Sequence, residues 1–232
     1  MNTDDSIGII GGTGAQGWGL ALRWAAAGKK VRIGSRLKER AQEGAQKIRD
    51  ILGTKSAEIE AFSNTELVAT TSLLVLAVPF AVQIPTLTAL RHSFRSGQML
   101  IDCTVPLETT VGGSAVRLLG VWEGSAAEQT ARHVPANIAV AAAFQNISAD
   151  ALRNIASLVE CDVLVCADAG DNRERVRPWV EAIPGCRYVD GGRLENARLV
   201  ESLTALLIGL NRRYKMKDAG IRITDLPESG RL

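Results

Sequence analysis

Histidine is nearly missing from this chain: 232 residues hold only 2. His92 lies in the polar stretch Leu-Arg-His-Ser-Phe-Arg and His133 precedes Val134-Pro135, and both read as surface positions. The 4 cysteines (Cys103, Cys161, Cys166, Cys186) fall outside any CxxC spacing. Neither a metal site nor a disulfide framework is therefore legible, and the thiols read as reduced core residues. Long apolar runs are also missing. The longest, Ser72 to Val82, is interrupted by Pro79 and is too short for a membrane span. The N-terminal Met-Asn-Thr-Asp-Asp carries no basic segment leading into an apolar one, so no export signal is expected and a cytoplasmic protein is. Charge of one sign is not in excess either. The 27 basic and 25 acidic residues leave +2, which points away from nucleic acid and anionic membranes as partners.

What is present is concentrated near the start. Ile7-Gly-Ile-Ile10 reads as a buried parallel strand, and it runs into Gly12-x-Gly14-x-x-Gly17 and then a helix opening with Leu20, Ala21, Leu22 and Trp24. Strand, glycine turn and helix N-terminus together make the dinucleotide-binding fingerprint. In that reading Gly12 allows the turn, Gly14 lets backbone approach a pyrophosphate and Gly17 lets helix pack on strand. The free N–H groups and the positive dipole end face the anion. The second strand, Lys30 to Arg36, ends where an NAD enzyme places an acid on the ribose hydroxyl, and no acid stands there. Ser35, Arg36, Lys38 and Arg40 stand there instead, a hydroxyl and cations suited to a 2′-phosphate. Cations at a helix start are unfavourable unless an anion sits beside them. The expected cofactor is NADP.

Further along, strand-like and helical stretches alternate, the pattern of a Rossmann-like, doubly wound parallel α/β sheet. Strands are expected near Ala57–Ala61, Leu73–Val78, Met99–Cys103, Ile138–Ala143, Asp162–Asp168 and Tyr188–Asp190. Helices are expected over Lys38–Leu52, from Ser125 (as N-cap, with Glu128 three residues on) to Arg132, from Ser148, over Asn172–Ile183 and from Glu195 to about Lys215. The last carries Leu199, Leu203, Leu206 or Leu207, and Leu210 on one stripe. No linker or repeat breaks the chain. Residues 1–135 are expected to form the NADP-binding Rossmann domain and 136–232 a smaller C-terminal α/β part that extends the same sheet.

Ligands of such sheets bind beyond the carboxyl ends of the strands. That places Ala77-Val78-Pro79 and Thr104-Val105, together with Thr13 and Gln16 of the glycine turn, around the cofactor. An enzyme oxidising an alcohol needs a general base, usually His or Lys, and none is convincing here. Hydride transfer between two organic cofactors needs none, because the protein supplies orientation and close approach.

Five segments carry a resemblance: Gly-Gly-Thr-Gly-x-x-Gly-x-Gly-Leu-Ala at 11–21, Ile33-Gly-Ser-Arg36, Ala142-Ala-Phe-Gln-Asn-Ile-Ser-Ala149, Cys161-Asp-Val-Leu-Val-Cys-Ala-Asp168, and Leu194-Glu-Asn-Ala-Arg-Leu-Val-Glu-Ser-Leu-Thr204. From Ile7 to about Ile223 the chain resembles the F420-dependent NADP oxidoreductases, in which a hydride passes between C5 of the deazaflavin coenzyme F420 and C4 of NADP. The resemblance implies an NADPH:F420 reductase, a homodimer or higher homo-oligomer. It places Thr13, Ser35, Arg36 and Arg40 on the NADP phosphates and Gln145, Ser202 and Thr204 at F420. Gln145 stands where other members have histidine; it can donate and accept hydrogen bonds but cannot carry charge. Pattern alone reads Ser202 and Thr204 as hydroxyls bonded back to the preceding helical turn. Arg198 and Glu201 are expected to pair with each other or with a partner subunit. The basic end, Arg212 to Lys217, reads as cations at a helix C-terminus, or as a contact for the oligoglutamate tail of F420. Two other functions stay open: an NADP-dependent dehydrogenase or imine reductase of the β-hydroxyacid or pyrroline-carboxylate type, and an NADP-binding sensor without catalysis.

Overall fold

The computed structural model describes residues 5–53 and 58–226. Ala57 of the expected third strand and the first four residues, read above for an export signal, lie outside them.

The first strand, β1 (Ser6–Ile10), is buried along its whole length, as its isoleucine run demands. Ile7 and Ile9 point to one face of the sheet and Ile10 to the other. A glycine turn leads into α1 (Ala15–Ala26), followed by β2 (Lys30–Ser35), α2 (Lys38–Leu52) and β3 (Ile59–Ser63). Next come α3 (Asn64–Thr70), β4 (Leu73–Leu76), α4 (Gln83–Leu90), β5 (Met99–Asp102), α5 (Ala126–His133) and β6 (Ala139–Ala142). These six strands run parallel in the order β3-β2-β1-β4-β5-β6, with Ile7 opposite Val31 on one side and Leu73 on the other.

The remainder is α6 (Ala149–Arg153), β7 (Cys161–Ala167), α7 (Gly170–Glu181), β8 (Cys186–Asp190) and α8 (Ala197–Tyr214). It extends the same sheet, but β7 joins β6 antiparallel, through Ala141 opposite Ala167, before β8 pairs parallel with β7. A parallel junction needs a crossover that carries the chain back along the sheet. Between β6 and β7 the only helix is α6, of 5 residues, and Arg23 of α1 clamps it by donating to the carbonyls of Ala151, Leu152 and Asn154. The chain therefore stays at the carboxyl end of β6 and enters β7 from there.

Helices cover both faces. One core packs α1, α2, α6 and α7 on the sheet around Trp24, whose ring meets Phe144 at 5.6 Å and Trp179 at 5.5 Å, edge to face in each case. The other packs α3, α4, α5 and α8 on Leu74, Leu76 and Leu100. All four cysteines are free and buried. No described helix is long and apolar enough to cross a membrane. The stripe expected on α8 is corrected: Leu199 (61% exposed) and Leu206 (56%) face outward, while Ala197, Val200, Glu201, Ala205 and Leu207 are buried. A buried Glu201 among them turns the inward face away from the leucine repeat.

Candidate functional site

At the carboxyl ends of the strands the structure has two cavities that share Val78 and Pro79 in their walls. The larger, about 890 Å³, runs from Gly11, Thr13 and Gly14 past Ser35, Arg36 and Arg40. The smaller, about 400 Å³, is lined by Gln16, Thr104, Val105, Gln145 and Thr204, and reaches Lys217.

The floor of the larger cavity follows from the glycines. Within the turn it is Gly11 that takes the left-handed conformation (φ +76°). Gly12 is required for packing, since a Cβ there would come within 2.9 Å of Ile33 Cγ2. Gly17 is equally confined, with a Cβ 2.9 Å from the Gly11 carbonyl oxygen. Neither Gly12 nor Gly17 lines either of these two cavities; both shape the turn from beneath. Gly14, the N-cap of α1, has an ordinary φ of −73°, so any constraint on its side chain lies in the space outside it. No side chain caps α1 and no acid occupies its first turn. The N-terminal N–H groups are thus left for a ligand anion.

At the far end of this cavity Ser35 is buried while Arg36 and Arg40 are exposed, and neither arginine meets a carboxylate among the described residues. Lys38 does: its Nζ lies 3.1 Å from Glu66 Oε1, which removes it from the group of free cations. Asn64, Thr65 and Ser63 also line this cavity. Sequence reasoning missed them, although Ser63-x-x-Glu66 is a capping-box signature, and both of its reciprocal bonds form at the start of α3. Asn64 Oδ1 accepts the Gly11 N–H at 3.4 Å and so steadies the glycine turn.

The smaller cavity is built around the end of β6. Phe144, buried, adopts φ 70°, a left-handed conformation that is costly for a large side chain. Its carbonyl accepts Gln16 Nε2 at 3.0 Å, and its ring is held by Trp24. This bend brings Gln145 and Asn146 to the cavity wall. Gln145 Nε2 donates to the Asp102 carbonyl (2.9 Å) and Asn146 Nδ2 to the Asp162 carbonyl (2.8 Å), which fixes how both amides are turned. The Oε1 of Gln145 and the Oδ1 of Asn146 are left without hydrogen-bond partners. Orphaned buried oxygens of this kind cost about 1–3 kcal/mol each until a donor reaches them. Thr204 Oγ1 donates to the Gln145 carbonyl at 2.9 Å and ties α8 to the same wall. Ser202 does not belong here. It is exposed and donates to the Arg198 carbonyl at 2.6 Å, the back-bonding of a helical hydroxyl.

Beneath the cavity lies a buried polar cluster that sequence reasoning did not assemble. Asp102, at the end of β5, accepts Thr104 N–H and Thr104 Oγ1 (both 2.6 Å), Gln83 Nε2 (2.9 Å) and Thr130 Oγ1. Burial raises its carboxyl above the usual carboxylate range, while the bonds from Thr104, Thr130 and Gln83 oppose the rise. Glu201 of α8 pairs neither with Arg198 nor with another cation in the described residues. It accepts the N–H groups of Ala126 (2.9 Å) and Ala127 (3.1 Å) at the start of α5. Its carboxyl is pushed up to about 8, first by burial and then by the charges of Asp102 and Glu128. Neither histidine lines either cavity: His92 is exposed and His133 Nδ1 contacts the Gln129 carbonyl. Among the described residues no cluster of His, Cys, Asp or Glu could hold a metal ion.

Residues 6–106 match the family described as NADP oxidoreductase coenzyme F420-dependent. The F420-dependent NADP reductase of Methanothermobacter thermautotrophicus is 48% identical over 223 residues, 96% of each chain. Among solved structures, a putative F420-dependent NADP-reductase from Arthrobacter sp. FB24 superposes with a TM-score of 0.78 at 21% identity, over 94% of this chain and 98% of that one. A 3-hydroxyisobutyrate dehydrogenase of Mycobacterium tuberculosis shares the fold with a TM-score of 0.60 at 14% identity, but this chain spans only 62% of its length.

Proposed function

This chain belongs to the F420-dependent NADP reductases, and from that premise we propose how its two cavities divide the reaction. The enzyme transfers a hydride between NADP(H) and the deazaflavin coenzyme F420. The larger cavity takes NADP, with the pyrophosphate at the α1 N-terminus beside Thr13 and Gly14 and the 2′-phosphate at Ser35, Arg36 and Arg40. The smaller cavity takes the deazaflavin against Gln145 and Thr204. The observation that carries this division is the wall that the two cavities share at Val78 and Pro79.

When bound, the coenzymes supply the reacting carbons, C4 of the nicotinamide and C5 of the deazaflavin. The work of the chain is orientation. Val78 and Pro79 set the floor at the junction, Pro79 stiffening the turn that follows β4. Thr104 and Val105 form the facing wall, held by Asp102. Gln145 and Asn146 offer their unpartnered oxygens to N–H donors of the bound rings, and Gln145 puts a neutral amide at that wall.

Residues 1–135 form the NADP half in this reading and 136–232 the F420 half. We also assign a homodimer. Leu199 and Leu206 stand exposed on α8, and Trp122, 98% exposed, stands on the segment after β5, so a second copy has apolar surface to cover. A cytoplasmic location fits a redox couple of two soluble coenzymes.

The test follows deazaflavin absorbance with purified F420 and NADPH. Wild type reduces F420, and Gln145→Ala raises KM for F420 by the loss of one hydrogen bond, about 0.5–1.5 kcal/mol, with NADP affinity unchanged. Gln145→His introduces a pH dependence near the imidazole pKa of about 6.5. If neither substitution alters F420 kinetics, the deazaflavin lies elsewhere.

A further inference from the structure

The small cavity meets the dinucleotide cleft at Val78 and Pro79, and its wall also holds Asn211, Lys217 and Ala219, at and just beyond the end of α8. In the function assigned above, the ring that exchanges hydride with the nicotinamide lies at Val78 and Pro79, and what the ring carries extends along the rest of that wall. About 400 Å³ accommodates a tricyclic ring and little else.

We propose that the turn closing α8, with Lys215 and Lys217 on it and Arg212 beside it, binds the anionic tail of the deazaflavin coenzyme, the phosphate and glutamate carboxylates that follow the ring. This rests on the function assigned above and adds to it a second, electrostatic subsite.

Helix geometry leads to the same place. Thr204, Ile208 and Asn211 of α8 line the cavity, and residues four positions apart share a helix face. Arg212 follows Ile208 on that face, and Lys215 is the first residue beyond the helix, which ends at Tyr214. All three cations are exposed, and none pairs with a carboxylate among the described residues. The nearby acids are engaged otherwise: Asp218 with Ser148 Oγ at 2.5 Å, and Asp162 with Arg187 and Arg222.

The turn itself is held in place. The Asn211 carbonyl accepts Met216 N–H at 2.9 Å, its Nδ2 donates to the Lys217 carbonyl at 3.1 Å, and its Oδ1 accepts Ala219 N–H at 3.0 Å. One cavity-lining side chain thus fixes where both lysines start. Lys215 also occupies the left-handed C-terminal position (φ 54°, ψ 35°), which glycine fills without strain. Favourable interaction with the helix dipole accounts for Arg212 and Arg213 in the last turn. It accounts neither for a lysine at a position that favours glycine nor for Lys217, which lies beyond the helix on the cavity wall. Gln145 and Asn146, whose side-chain oxygens have no hydrogen-bond partner in the structure, line the same cavity.

Steady-state kinetics with NADPH test this using two acceptors: F420 with its oligoglutamate tail, and the deazaflavin ribityl fragment lacking phosphate and glutamates. In wild type the tailed acceptor has a KM lower by about tenfold or more at low ionic strength. That advantage shrinks between about 0.02 and 0.3 M salt, as the Debye length falls from roughly 20 to 6 Å. In the variant K215G/K217Q the advantage collapses toward one, while the melting temperature does not fall, since glycine relieves the strained backbone position. Equal KM values for the two acceptors in wild type overturn the proposal. So does a variant that keeps the advantage, or one in which both KM values rise together. If neither acceptor oxidises NADPH, it is the deazaflavin reading that fails.

Discussion

Glu201 shows what burial does to one ionisable group. The residue is 1% exposed, and burial pushes its carboxyl up to about 8, well above an unfolded glutamate. Between about pH 4.5 and 8 the folded state keeps a proton that the unfolded state releases, so this group makes stability fall as pH rises through that window. Glu201→Gln removes the titration and can still accept an α5 N–H. Its melting temperature should decline less between pH 5 and 8.5 than that of wild type, by roughly several degrees; parallel melting curves would refute the assignment. Arg36 illustrates the opposite setting, an exposed cation without an acid partner among the described residues. Arg36→Ala should weaken NADP binding by about 1.5–3 kcal/mol and leave NAD binding nearly unchanged, as read by calorimetric titration. Both residues are visible in the sequence, but only Arg36 could be interpreted there, because its role depends on the strand it follows. Glu201 reads as an ion-pair partner for Arg198 or a second subunit until α5 is packed against it.

Helix α1 turns the glycine spacing into a test. Gly14→Val keeps an ordinary backbone φ, and its Cβ would meet the Gly11 carbonyl oxygen at 3.3 Å and the Ala77 carbonyl oxygen at 3.7 Å, so the fold should persist while the pyrophosphate is displaced and NADP binding is lost. Gly17→Val drives a side chain into the Gly11 oxygen and the Gly12 Cα at 3.0 Å, so it should lower the melting temperature as well. A Gly14→Val protein that binds NADP normally would reduce the fingerprint to a structural turn. The elements that went unrecognised are short. Helix α3 has 7 residues, two of them threonine, and α4 has 8 with Pro85 in its first turn. Neither is long enough for a helical period to stand out. Packing against Leu74, Leu76 and Leu100 stabilises them where propensity does not.

Asp102 links the parts of the molecule. Through its carboxylate it holds Gln83 of α4, Thr130 of α5 and the Thr104 backbone, and through its carbonyl it holds Gln145, which Thr204 of α8 secures in turn. Asp102→Asn sets an amide N–H₂ against donors and should cost about 2–4 kcal/mol, or roughly 5–15 °C in melting temperature. Because Thr104 lines the small cavity, KM for F420 should rise while NADP affinity holds. Unchanged F420 kinetics in a destabilised Asp102→Asn protein would limit the cluster to a structural part.

Local order in the chain was enough for the parallel six-stranded half, the NADP preference and the glycine turn, because each depends on residues within one strand–turn–helix unit. Buried strands declare themselves by apolar runs, and a missing acid after β2 is a local fact. The antiparallel entry of β7, the outward Leu199 and Leu206, the exclusion of Ser202 and the Asp102 and Glu201 clusters depend on elements far apart in sequence. In each of these, a side chain faces inward or outward according to which helix is laid against it, and that choice is made when the sheet acquires its second face.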